Sequence, residues 1–348
     1  MIASPHDGLV KLTFAQVEDA RGELRAIVPR AISEALQWSA LAVQPGSFVD
    51  AALAHQHTDL LYSLTWRDGR DALVYLLFEH QSAPPTDGLM GRRLLRYMDR
   101  IWERWSADHP RAKKLPMIVP VVLYHGAAQW PEPVAFEDLL DVPTELRPGI
   151  DPHLVRFTYV LYDLSHVSDE ELRASAVRTA RGKLTTLLLK HGRTDADLLR
   201  TLARWMDLVR EVVRAPHGLD ALGALLRYTL EVNEHIQRDE LQRLLEREIG
   251  PQTKDVMMTI GQQLREEGRQ QGIEQGRQEG RQEGRQEGRQ EGRQEGRQEV
   301  LLFVLRQRFP DAVTPQIEQR VAAAPGALLD AWTSRMLSAA TLAELLGD

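Results

Sequence analysis

Residues 58–82 read TDLLYSLTWRDGRDALVYLLFEHQS. Two β-forming apolar runs, 60–66 and 72–78, flank Arg67-Asp68-Gly69-Arg70. An Asp-Gly pair between such runs predicts a hairpin. If the turn centres on Asp68-Gly69, Asp59 falls opposite Phe78, one residue short of Glu79. A turn one residue longer sets Asp59 opposite Glu79. In either register each strand brings one carboxylate to the same open end. The second run is apolar on both faces, with Val74, Leu76 and Phe78 on one and Leu73, Tyr75 and Leu77 on the other. That pattern predicts a buried inner strand rather than a half-exposed one. Glu79 and Gln81 then share a face, because side chains alternate along a strand.

Two carboxylates beside the end of a buried strand repel each other and stay ionised only when a cation or donors compensate them. A divalent metal does this with one ion, and oxygen ligands favour Mg²⁺, with Mn²⁺ as the other choice.

These residues also carry a resemblance. Asp at the head of one strand and Glu-x-Lys at the end of the next is the pattern of the PD-(D/E)XK nucleases. Here Asp59 is followed by Glu79-His80-Gln81, with Gln in the Lys position. FEHQS at 78–82 followed by RRLLRY at 92–97 resembles the Rpn family of recombination-promoting nucleases, a transposase-type branch of that superfamily. HDGLVK, from His6 to Lys11, is similar to that family's N-terminal motif, with Val10 where Phe is usual. The resemblance covers about the first half of the chain, a span of domain size. It implies an α/β fold, a restriction-endonuclease-like mixed sheet flanked by helices. It also implies a metal-dependent DNA endonuclease, with Asp59, Glu79 and Gln81 catalytic. Asp59 and Glu79 would bind Mg²⁺ with the His80 carbonyl. Gln81 is neutral and no acid or base, so it would position water by hydrogen bonds alone.

Composition sets outer bounds. The chain has 348 residues, 43% hydrophobic and 27% charged, enough for two or three domains. A net charge of −7 argues against a generally basic nucleic-acid coat, so DNA contact requires a local patch. The absence of Cys removes disulfides, thiolate catalysis and Cys-ligated zinc, and suits the cytoplasm. The N-terminus has no apolar run of the signal-peptide kind, and no apolar run is long enough to span a bilayer, so no membrane partner is expected.

Residues 1–45 read as helical after Pro5, divided near Pro29. His6, Asp7 and Lys11 are candidates to reach the carboxylates; equally, Asp7 caps a helix and the other two are solvated. Residues 46–49 read as a short strand and 51–57 as a connector. A helix follows over about 89–106, with Arg92, Arg96, Arg100 and Arg104 every fourth residue and Arg93 beside them. Between Thr86 and Leu115 eight Arg or Lys face four Asp or Glu, a basic excess in an acidic chain. Arg92, Arg93, Arg96 and Arg100 form a candidate phosphate-tracking stripe. A solvated helix face would look the same. Residues 117–124, MIVPVVLY, read as a buried strand with Pro120 suggesting a bulge or edge, and 154–164 as the last strand.

From Ser168 the patterns are helical, and His191, His217 and His235 among them show no metal spacing. Gly-Arg-Gln-Glu then begins at Gly276, Gly280, Gly284, Gly288, Gly292 and Gly296. With no apolar face and a Gly every fourth residue, this predicts a weak helix, either a solvated spacer or a stripe for self-association. Residues 300–348 form amphipathic segments, a small helical unit expected to bury its leucines against a second copy. The expected domains are a nuclease-like domain (1–166), a helical bundle (167–260), the repeat linker (261–299) and a small helical domain (300–348). DNA and a homo-oligomer through the helical region or tail are the expected partners. The rival expectation is a catalytically weak or inactive DNA-binding and oligomerising module on the same fold.

Overall fold

A computed structural model describes residues 4–44, 60–68, 73–83 and 89–347, without the side chains of 73–77, 79 and 80. The expected strand at 46–49, the connector at 51–57, Asp59 and the Gly69 half of the turn lie outside the described residues.

Among the described residues five strands form one sheet, ordered β1 (Ala42–Val43), β2 (Leu60–Thr65), β3 (Leu73–Gln81), β4 (Met117–Tyr124) and β5 (Val160–Asp163). β1, β2 and β3 pair antiparallel, while β3, β4 and β5 run parallel. The sheet is therefore mixed, as expected. In the hairpin Leu60 pairs with Phe78 and Thr65 with Leu73, which is the register of the longer turn. The inner position expected of β3 is met, with β2 on one side and β4 on the other.

β4 is more central than Pro120 suggested. Val121, Val122, Leu123 and Tyr124 are wholly buried. Pro120 pairs with Leu77 of β3, and pairing to β5 begins one residue later at Val121. The proline thus sits where β4 has a single neighbour, so its missing N–H costs no ladder bond on the second side. The last strand is shorter than 154–164. Residues before Val160 are taken up by a 3₁₀ turn, Asp151–His153, and an isolated bridge from Ala135 to Thr158.

Helices cover both faces. α1 (Pro5–Phe14), α2 (Val17–Ile27) and α3 (Arg30–Ala35) precede the sheet, and the chain divides at Pro29 as expected. The Phe14 ring meets Phe78 edge-on at 5.5 Å, and Tyr62 donates to the Phe14 carbonyl at 2.7 Å. α4 (Met90–Asp108) connects β3 to β4. Its Met90, Leu94, Tyr97, Met98 and Ile101 recur at helical spacing and are buried against Leu61, Ile118, Val122 and Tyr124. Trp102 donates to the Pro116 carbonyl at 2.9 Å, tying the end of the helix to the start of β4.

After α5 (Arg147–Ile150) come α6 (Asp169–Ala174), α7 (Ala180–His191), α8 (Leu198–Ala203), α9 (Met206–Arg214), α10 (Gly218–Val232) and α11 (Arg238–Glu248). Ser168 and Glu171 form a complete capping box on α6, as that sequence predicts. The helical pattern of 198–213 is divided between two helices, broken at Arg204 and Trp205. Trp205 is 2% exposed and its ring lies 5.7 Å from that of His191. Burying a ring of that size is a tertiary demand that no helical periodicity reports.

These helices do not stand apart from the sheet. Thr185 on α7 shares a hydrogen bond with Thr13 on α1 at 2.9 Å. Arg178 donates to Glu23 at 2.7 and 3.2 Å and to the Tyr162 hydroxyl of β5 at 2.8 Å. Glu23 and Arg178 side chains are 1% and 6% exposed. Gly22 allows this approach, since a Cβ there would sit 2.6 Å from the Val177 carbonyl oxygen.

By contact the chain divides into Met1–Gly261 and Gln262–Asp348. α12 (Gln252–Arg308) is 57 residues long and contains the whole repeat. It has no apolar stripe through the repeat, where nearly every residue is exposed. Its first part has local support, with Arg269 paired to Glu266 at 2.6 Å and Gln275 and Gln278 donating to Glu279 and Glu274. Its end meets the C-terminal helices, Gln298 donating to the Ala322 carbonyl at 2.9 Å and Arg297 pairing with Asp330 at 3.3 Å. In the second unit α13 (Pro315–Ala322), α14 (Gly326–Arg335) and α15 (Leu342–Leu346) close on the end of α12. Leu301, Leu305, Val321, Leu329, Trp332 and Leu345 are buried together there. The expectation that a second copy is needed to bury these leucines is corrected, since the unit's own helices cover them.

A Cβ built at Gly268, Gly276 or Gly288 would meet nothing within 4 Å. Deleting four Gly-Arg-Gln-Glu units is therefore expected to shift the thermal midpoint of the 1–261 unit by less than about 1 °C, because no apolar area is exposed. Calorimetry of the full chain and the deletion would check this. A drop of several degrees would mean that the repeat supports the first unit.

Candidate active site

The carboxyl ends of the parallel strands, where ligands of open α/β sheets commonly bind, hold Glu79, His80 and Gln81 of the sequence-selected residues. β3 ends at Gln81, paired with Tyr124 at the end of β4, and Glu79 pairs with Val122. Because β2 is antiparallel to β3, its first residue, Leu60, lies at this same end, opposite Phe78. Asp59 precedes Leu60 in the chain and Glu79 follows Phe78. Asp59 and the Glu79 side chain lie outside what is described. Gln81 is 7% exposed, and its carbonyl accepts the His125 backbone N–H at 3.1 Å.

Beyond the strand ends lies a cavity of about 370 Å³, lined by His6, Ser82, His125, Lys190 and Arg193 among others. α1 carries His6 into it, so this member of the N-terminal motif does reach the strand ends. The His6 and His125 rings are 4.8 Å apart. His6 Nδ1 and the Tyr228 hydroxyl share a hydrogen bond at 2.8 Å, and burial raises the Tyr228 pKa, keeping that hydroxyl protonated. His125 Nδ1 lies 3.0 Å from the Leu189 carbonyl. A carbonyl only accepts, so Nδ1 carries the hydrogen and Nε2 is left as the acceptor of the neutral ring. Asp7 is half-buried and Lys11, further along α1, is exposed.

Sequence reasoning passed over His125, Lys190 and Arg193. His125 stands immediately after a strand read as ending in His-Gly, and only the parallel pairing of β3 and β4 sets it beside Gln81. Lys190 donates to Asp169 at 2.8 Å and to the Val167 carbonyl at 2.6 Å, and His191 Nε2 lies 2.8 Å from Asp169. Burial works against ionisation of Asp169, but these two partners outweigh it and hold its pKa below the ordinary carboxylate range. The pair fixes one wall of the cavity. Asp163, buried at the end of β5, is occupied as a cap, accepting from Ser165 N–H at 2.9 Å and its hydroxyl at 2.7 Å.

Of the candidate phosphate ligands, Arg92, Arg96 and Arg100 are exposed on α4 and Arg93 is half-buried. Arg100 pairs with Glu103 at 2.9 Å and Arg104 with Asp108 at 3.2 Å, so the basic stripe is interleaved with acids toward its far end. Glu132 accepts the Met90 N–H at 2.6 Å, at the start of this helix. Among the described residues no group of three His, Asp or Glu could hold a metal. No helix among them is long and apolar enough to cross a membrane.

A family model described as "Putative transposase, YhgA-like" matches residues 4–219. The recombination-promoting nuclease RpnD of Escherichia coli O157:H7 is 29% identical over 266 residues, which cover 76% of this chain and 95% of that protein. Recombination-promoting nuclease RpnC of E. coli K12 is 30% identical over 268 residues, covering 76% and 82%. The K12 protein named inactive recombination-promoting nuclease-like protein RpnE is 30% identical over 269 residues, covering 76% and 83%. No solved structure matches the chain significantly.

Proposed function

Since the chain belongs to the YhgA-like transposase family, together with the recombination-promoting nucleases, we propose that it is a metal-dependent DNA endonuclease on a PD-(D/E)XK fold. The observation that carries this reading is the hairpin register. Leu60 pairs with Phe78, so the chain neighbours Asp59 and Glu79 would be next in line at the carboxyl end of the sheet. Strand alternation would give Asp59, Glu79 and Gln81 one face, the face of Leu61, Val122 and Tyr124 that packs on α4.

The donor set fits a hard divalent ion: two carboxylates and the His80 carbonyl, all oxygen. When bound, Mg²⁺ or Mn²⁺ would lower the pKa of a water and offset charge on the phosphate. Gln81 then orients that water by hydrogen bonding, in place of the usual lysine. Arg92 and Arg96, near the start of α4, hold the flanking phosphates, with Arg93 and Arg100 beside them. His6 and Asp7 support the strand ends from α1, and Lys11 is a remote accessory. The nuclease domain of this reading is 1–166, with the helices of 167–260 packed onto it in the same compact unit. Self-association through the tail would use Val300 and Phe303, each 64% exposed on α12.

One observation favours a second reading, a binding module with little or no catalysis. Gln81 lacks the charge of the lysine it replaces, and two relatives are named inactive. Supercoiled plasmid incubated with purified protein separates the two. Nicking that requires Mg²⁺ and stops with EDTA is expected. Plasmid retarded on a gel but uncut at any metal concentration would establish the binding module instead.

A further inference from the structure

We propose that the turn between α4 and β4 is a second nucleic-acid contact, which takes an unpaired nucleotide. The base lies on the open face of His109 and its phosphate meets Lys113 and Lys114. This rests on the reading of the chain as a DNA-cleaving enzyme.

The turn is built around a stacked pair. The His109 and Trp105 rings are 4.5 Å apart and 13° from parallel. His109 Nδ1 lies 2.9 Å from the Trp105 carbonyl, so Nδ1 donates and the ring is locked against the indole. The remaining nitrogen, Nε2, is an acceptor in the neutral ring and a donor when protonated, either of which suits the edge of a base. His109 is exposed, so the stack ends in an open aromatic face. Beside it is a cavity of about 210 Å³ lined by Trp105, His109, Lys113, Lys114 and Leu115. Leu115 is 54% exposed and gives the cavity an apolar wall.

Two further observations point to a ligand. Trp105 Nε1 is buried and has no hydrogen-bond partner among the described residues, an arrangement that folded proteins rarely leave unexplained. Arg111, Lys113 and Lys114 are exposed within four residues of one another, and the nearby Asp108 is already paired with Arg104. Aromatic faces interleaved with cations are how single strands are gripped without reading their sequence. A base within a duplex is covered on both faces, so the open ring selects unpaired nucleotides.

Position gives the contact a use. α4 leaves the Gln81 end of the sheet and the turn returns the chain to Met117, which pairs beside the start of β3. Nineteen residues of helix span about 28 Å, roughly eight nucleotide steps at the spacing of a stacked strand and fewer for an extended one. A strand opened at the cleavage site could reach along α4 and be held at His109.

The test uses full-length protein in EDTA, where binding is read without cleavage. Fluorescence anisotropy with a labelled 20-mer single strand and its duplex is measured across a salt series. His109→Ala is expected to weaken single-strand binding about tenfold and duplex binding less than twofold. His109→Phe, which keeps a ring on Trp105, is expected to retain single-strand affinity. Lys113→Gln with Lys114→Gln should lower the single-strand salt slope by about 1.4. Equal loss for single strand and duplex would reduce the turn to a phosphate contact and overturn the proposal. So would His109→Ala binding like the unsubstituted protein. Absence of single-strand binding by the unsubstituted protein overturns the second contact; absence as well of Mg²⁺-dependent plasmid nicking, measured separately without EDTA, overturns the nuclease reading too.

Discussion

Glu79→Ala and Asp59→Ala are each expected to lower Mg²⁺-dependent plasmid cleavage by at least about a hundredfold, the scale for losing a single electrostatic stabiliser of a transition state. Each removes one of the two carboxylates that would hold the cation, leaving a single carboxylate and a carbonyl to bind and position it. Circular dichroism should show the fold intact, because the neighbouring Leu60 and Phe78 that anchor the hairpin are unchanged and buried. Nicking rates for both variants, purified identically and measured at saturating Mg²⁺, give the answer. Undiminished cleavage by either one removes that residue from the site. Loss that is rescued by raising Mg²⁺ or by Mn²⁺ would show weakened metal binding rather than a defect in the chemical step.

The largest effect on stability is expected from the ion pair that ties α2 to the loop before α7. Arg178→Ala should cost about 3–5 kcal/mol, since it strands Glu23 in the interior without its counter-charge. Burial already pushes the Glu23 carboxyl up, with Arg178 acting against it, and both side chains are nearly inaccessible. The same guanidinium also serves the Tyr162 hydroxyl, whose pKa burial pushes up to about 12, so its loss leaves two polar groups in want of a partner. A paired replacement, Glu23→Leu with Arg178→Met, is expected to recover most of the loss, because no charge is left behind. Urea denaturation midpoints of the full chain measure both. A single variant within about 1 kcal/mol of the parent would show that the pair is solvated in solution.

Much of the first unit was legible because local rules and tertiary demands agree there. The Asp-Gly turn between two β-rich runs implies an antiparallel pair, and the doubly apolar second run implies a neighbour on its other side. Both follow from the alternation of side chains and the cost of exposing Leu and Val. The amphipathic spacing of Met90, Leu94, Met98 and Ile101 likewise implies a helix with one buried face. The repeat's composition excluded an apolar face, and the helix that contains it has none there.

Other features depend on pairs distant in sequence. Two hairpin registers were equally consistent with the residues; β2 is buried on both faces, so side-chain alternation alone does not choose between them, and the pairing of Leu60 with Phe78 selected one. Nothing in a lone His-Gly after β4 tells that His125 meets His6 119 residues earlier in the chain, because that contact exists only when α1 packs across the strand ends. Arg178 and Glu23 are 155 residues apart, and their burial follows from how α2 meets the α6–α7 loop, not from either segment. By itself the sequence determined most of the elements and the family, since these rest on periodicity and short motifs. Only the tertiary structure decided the register, the break at Trp205 and the cavity walls, because those depend on which distant surfaces exclude water from each other.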